Sequence, residues 1–145
     1  MKNNQTLESL KKVLANSYAL SLKTQNYHWN VEGPNFKSLH ELFDAQYNEL
    51  ADAIDVIAER VRALASKVDG TFEDFQSLSK IKSGNKNLKC DAMVKDLIEG
   101  HEILVEALKA GTKAAQEEGD EASADIFIGR CQVHEKAIWM LRSSL

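Results

Sequence analysis

Five side chains that bind metals well recur at helical spacings: His28, His40, Asp44, Asp55 and Glu59. His40-x-x-x-Asp44 and Asp55-x-x-x-Glu59 are i,i+4 pairs, so each pair shares a helix face and offers two ligands to one ion. Imidazole nitrogen combined with carboxylate oxygen suits iron, and also zinc or manganese. At about 100° per residue, the four residues from His40 to Glu59 fall within an arc of roughly 100°. The apolar stripe of the same segment is centred about 130° away. The ligand types therefore turn away from the subunit's own core.

One helix cannot bring the two pairs to one ion, because their midpoints lie about 22 Å apart along its axis. A two-fold axis removes the difficulty. If this helix lies antiparallel against its copy, centred between Glu49 and Leu50, His40 and Asp44 of one chain face Asp55 and Glu59 of the other. Such a self-complementary contact creates two equivalent sites. Ala51 and Ala58 lie on the same face and permit close approach. In an antiparallel hairpin centred on Pro34, His28 stands level with His40 and joins the set. A solvated charged face explains any single pair; it does not explain five ligand types converging under one symmetry operation.

The elements that must position these residues are helical. One proline and seven glycines interrupt 145 residues. Periodic apolar positions predict a first helix over about 6–31 (Leu7, Leu10, Val13, Leu14, Leu20) and a second to about 65 (Leu39, Phe43, Leu50, Ile54, Ile57, Val61, Leu64). Glu32-Gly33-Pro34-Asn35 separates them. Asn35 or Ser38 is the expected cap, with Glu41 completing an S-x-x-E box from Ser38. Residues 66–89 read as a long connection in which Thr71-Phe72-Glu73-Asp74-Phe75 forms a capped short helix packing two aromatics. A third helix is expected over about 91–118 (Met93, Leu97, Leu104, Leu108), stopped by Gly119. A fourth runs over about 120–142 (Ala124, Phe127, Cys131, Ile138, Leu141). Short turn, long connection, short turn is the ferritin-like arrangement, with one crossover between helices two and three. The expected fold is all-α: a single four-helix-bundle domain over residues 1–145.

Composition excludes several classes. Hydrophobic residues at 43% and charged residues at 28% describe a globular chain. No apolar run approaches the roughly 18 residues that span a bilayer, and the N-terminal stretch lacks a secretory core. A cytoplasmic address without membrane partners follows as the expectation. Asn4-Gln5-Thr6 matches a glycosylation pattern that means nothing without secretion. Cys90 and Cys131 form no CxxC pair and read as reduced thiols. The net charge of −4, with no basic block at either end, argues against phosphate binding.

The segment NYHWNVEGPNFKSLHELFDAQYNELADAIDVIAER resembles the signature of the Dps-type mini-ferritins. The spacing His28-x11-His40-x3-Asp44-x10-Asp55-x3-Glu59 matches that family's ferroxidase ligands. No Glu-x-x-His occurs, which separates the chain from bundles with a di-iron site inside one subunit. The resemblance implies a hollow homododecamer with inter-subunit sites, where Fe(II) is oxidised, preferably by hydrogen peroxide, and stored as Fe(III) mineral. It implies that Trp29 lies near the site as a possible relay for oxidising equivalents, although a packed indole explains it equally. Asp120 and Asp125 correspond to acids at iron-entry pores; together with Glu121 they also complement a helix N-terminus. His101 and His134 have no ligand partner in the motif and read as structural.

The family's namesake activity, DNA binding, is disfavoured for this chain. Only Lys2 precedes helix one, the chain ends Arg142-Ser143-Ser144-Leu145, and Lys80, Lys82, Lys86 and Lys89 read as a solvated loop. Twelve copies at −4 each total a formal −48. Two rival functions remain at this level: a nucleoid-binding assembly with iron secondary, and a non-catalytic helical oligomer whose sites hold zinc or nothing.

Overall fold

The computed structural model describes residues 4–145, so Lys2 lies outside the described residues. Five helices and no strand occur among them: α1 (Asn4–Asn30), α2 (Phe36–Ala63), α3 (Phe72–Leu78), α4 (Cys90–Glu117) and α5 (Glu121–Arg142). No helix is long and apolar enough to cross a membrane among these residues.

Cross-contacts set the directions. Thr6 of α1 meets Glu118 just past α4, and Lys23 of α1 meets Asp96 of α4. Hence α4 runs antiparallel to α1 and parallel to α2, which only a long crossover allows. The stripes foreseen from periodicity meet in one core: Leu10, Leu20, Phe43, Leu50, Ile57, Met93, Leu97, Leu104, Leu108, Phe127 and Leu141 are all essentially inaccessible. Backbone approach tightens where side chains vanish. A Cβ on Gly100 would sit 2.7 Å from Leu20 Cδ1.

The turns do what their glycines require. Gly33 has φ +117° and Gly119 φ +75°, values that a residue without Cβ adopts freely. The first turn also corrects one expectation, because the Ser38–Glu41 box does not form. Phe36 N–H donates to the Gly33 carbonyl and Leu39 N–H to that of Asn35, so α2 starts before Ser38. The Ser38 hydroxyl instead donates to the Asn35 carbonyl at 3.1 Å.

The crossover is fastened at both ends of α3. Thr71 and Asp74 form a reciprocal capping box. Phe75 stacks on Tyr18 of α1 with centroids 4.6 Å apart. Its companion does not pack as expected: Phe72 is 79% exposed, because the first residue of so short a helix overhangs α1. Further on, Asn16 Oδ1 accepts from Ser79 Oγ and Lys80 N–H. Tyr27 OH accepts from Asn85 N–H and donates to Asp96 at 2.5 Å. Burial, reinforced by the bond to Asp96, pushes the Tyr27 phenol up to about 12.

Candidate metal centre

The α1–α2 hairpin brings the first two candidate ligands into contact, with Asp44 close to His28. Its tight turn at Gly33-Pro34 sets the last two turns of α1 beside the first two of α2. The His28 and His40 rings then stack with centroids 3.8 Å apart and planes 13° from parallel. Each ring nitrogen Nδ1 lies 2.7 Å from the backbone carbonyl of the other histidine. A carbonyl only accepts, so both Nδ1 atoms carry the proton and donate. In the neutral rings both Nε2 atoms keep free lone pairs. Metal-binding histidines are oriented in this way, with the second nitrogen anchored to a backbone oxygen. His28 Nε2 stands 3.9 Å from Asp44 Oδ1, and the Asp44 side chain is half exposed.

Two further aromatics extend the stack. Phe36 lies on the far side of His40 at 5.0 Å, and Tyr47 tilts against His28 at 5.3 Å. Sequence reasoning missed both. Phe36 at i−4 from His40 was a usable signal; Tyr47 depended on the register between α1 and α2.

Asp55 and Glu59 do not join this cluster within the subunit. Unbroken α2 carries them about 22 Å further along its axis. Both are exposed on the face that bears Asp44, and neither makes an ion pair with any described residue. Among the described residues, no three His, Cys, Asp or Glu side chains of one protomer form a metal-sized group. On the same side of α2, Ala51 is exposed and Ala58 half-buried.

The remaining candidates take different positions. Trp29, next to His28 in the chain, is 61% exposed, and Trp139 is similarly open. Asp120 caps α5: it accepts from Ser123 N–H at 3.0 Å and Ser123 Oγ at 2.6 Å, and pairs with Arg60 at 2.8 Å. Burial raises its carboxyl, but the Ser123 bonds and the Arg60 charge prevail and hold it below the usual range. Asp125, one turn on, is exposed. Cys90 and Cys131 are half-buried free thiols. His101 and His134, by contrast, are hydrogen-bonded to each other in the core.

Likeness to known proteins extends over nearly the whole chain. A family model described as a ferritin-like domain matches residues 7–145. The chain is 36% identical over 143 residues to DNA protection during starvation protein 2 of Bacillus anthracis, covering 99% of this chain and 98% of that one. Dps from Staphylococcus aureus superposes with a TM-score of 0.95 at 33% identity, covering 100% and 98% of the two chains.

The chain belongs to the Dps branch of the ferritin-like family.

Among Dps relatives, the Vibrio cholerae O1 protein is described as a member of a broad superfamily of ferritin-like diiron-carboxylate proteins. It superposes at TM-score 0.93 with 27% identity, covering 98% of this chain and 89% of that one.

Proposed function

We propose that this protein is a ferroxidase and iron-storage protein that protects against oxidative damage. Its substrate is Fe(II), bound between two protomers by His28, His40 and Asp44 of one chain with Asp55 and Glu59 of the other. Membership of the Dps branch supports the iron chemistry. The observation that carries it is the reciprocal anchoring of the two histidines, which leaves an Nε2 lone pair free on each ring, that of His28 near a carboxylate. The two stacked rings, 3.8 Å apart, each offer one such nitrogen, enough for one to each of two ions. Two-metal sites hold their ions about 3.5–4 Å apart.

Two bound Fe(II) ions supply two electrons together. Hydrogen peroxide accepts both with two protons and leaves as two waters, giving two Fe(III) and no hydroxyl radical. The chain's own groups hold the substrate ions and orient them. The carboxylates favour the higher charge of the product, and the backbone carbonyls at Nδ1 keep the imidazoles basic. The Fe(III) then accumulates as mineral within a hollow homododecamer in the cytoplasm. Asp125, more exposed than Asp120, guides iron inward, and Asp120 contributes its remaining charge. Trp29 gives up an electron when a site holds a single iron. Zinc fits the same ligands and, having no accessible redox step, would block the reaction.

Anaerobic Fe(II) titration followed by peroxide tests this reading. Saturation near two Fe(II) per protomer, a fast ferric absorbance on peroxide addition and iron retained with the protein on gel filtration are expected. No optical change and no retained iron would refute it. A low-salt gel shift addresses the nucleoid alternative: an iron-storage role without DNA binding predicts no salt-reversible retardation of DNA.

A further inference from the structure

Half-way along the bundle, a polar layer runs from the apolar core out to Glu49, whose side chain is 43% exposed. Its members are Gln46 and Glu49 of α2, His101 of α4, and Arg130 and His134 of α5, with Ser17 of α1 at the same height. His101 and His134 are only 2% and 1% exposed, and Arg130 is 8% exposed.

Hydrogen-bond accounting fixes the imidazole protons in this layer. Arg130 donates through both terminal nitrogens to the Glu49 carboxylate. Its Nη2 also lies 3.1 Å from His134 Nε2. Guanidinium has no acceptor, so His134 Nε2 must be unprotonated. The neutral His134 ring therefore carries its proton on Nδ1, which faces His101 Nδ1 at 2.8 Å. His101 Nδ1 must accept, so His101 is protonated on Nε2. That N–H is buried without a partner, as are both amide atoms of Gln46, Ser17 Oγ and Arg130 Nε. Every imidazole lone pair in the layer is already used.

We propose that this layer is an acid-sensitive switch within the subunit: the two histidines share one bridging proton, and a second proton forces the α4–α5 contact to open. A proton added to His101 Nδ1 meets the His134 N–H head-on. One added to His134 Nε2 meets the Arg130 N–H. Either way a buried bond becomes a clash between donors, beside a guanidinium.

The charged groups turned into the layer are Arg130 from α5 and Glu49 from α2; α1 supplies only the Ser17 hydroxyl. Glu49 is committed to Arg130 and offers no separate counter-charge to an imidazolium. A metal cation in place of the bridging proton meets the same repulsion from Arg130.

The direction of the pH effect follows. Burial, then the Arg130 charge, pulls His101 down to about 3. Burial, then His101 and Arg130, pulls His134 well below its ordinary value. Both values lie below the unfolded histidine value of about 6.5, so the folded state keeps its full stability above that pH and loses it as pH falls toward about 3. The opening equilibrium rises by up to about tenfold per histidine for each pH unit.

Two measurements on the intact assembly test this. Solid-state 15N spectra of histidine-labelled protein at pH 7.5 should show a neutral pair with opposite tautomers, protonated on His134 Nδ1 and His101 Nε2. At pH 5 no imidazolium should arise from this pair in folded protein, and an imidazolium there overturns the proposal. Hydrogen exchange of the α4 amides around His101, corrected for intrinsic rates, should show opening that grows as pH falls from 7 to 5. His101→Gln keeps an acceptor opposite His134 and removes one titrating ring. Its opening should rise less steeply, by up to about tenfold per pH unit. An unchanged slope in that variant refutes the switch; if the variant does not assemble, the wild-type spectra decide alone.

Discussion

Subunit mixing tests the shared site most directly. Take one variant with His40→Ala and Asp44→Ala, and a second with Asp55→Ala and Glu59→Ala. None of the four side chains belongs to the core, so both variants should fold and assemble. Each alone lacks two of the five ligands of every site and should oxidise Fe(II) near background. In a mixed dimer, the second variant's His40 and Asp44 meet the first variant's intact Asp55 and Glu59. One of its two sites is whole, while the other lacks all four ligands. Random pairing at equal ratio makes about half of the dimers mixed, so about a quarter of all sites should be restored. The assay is the initial ferric absorbance after peroxide, with mixing verified by native mass spectrometry. A quadruple-Ala chain mixed equally with wild type supplies the converse: about a quarter of sites survive if shared, against about half if each chain built its own. Verified mixed assemblies with no burst above the parents would refute the geometry, since the two ligand pairs of one α2 stand about 22 Å apart.

Other perturbations probe the scaffold that holds the site. Gly100→Ala drives a Cβ to 2.7 Å from buried Leu20 and should cost about 1–3 kcal/mol in denaturant unfolding. Phe127→Ala empties a fully buried position against Gly111 and should cost about 3–5 kcal/mol by the same measurement. Asp120→Ala removes the α5 cap and the Arg60 partner, a loss of about 1–2 kcal/mol. Because the Asp120 carboxyl is held below its ordinary value, its contribution is present above the unfolded aspartate value and is lost as pH falls through the folded one. The gap between wild type and Asp120→Ala should therefore narrow in acid. A gap that widens below pH 4 contradicts this assignment.

Local pattern in the chain determined much of this protein. A period of 3.6 residues marked the four long helices to within a few residues, since burial of a stripe requires that period whatever the stripe packs against. The same wheel put Asp44, Asp55 and Glu59 on an outer face, where the structure finds Asp44 half exposed and the other two exposed. Residue chemistry named His28 and His40, and the turn at Gly33-Pro34 set them level. Tertiary structure decided what lies across helices, because register and rotamer are not written in either helix alone. It stacked the two histidines and tied each to the other's carbonyl. It committed Asp120 to Arg60, 60 residues away, and paired His101 with His134 across 33. Phe72 and Phe75 share one short helix, yet only Phe75 found a neighbour to stack on. Periodicity reports which face is buried; the partner it meets depends on where another segment stops.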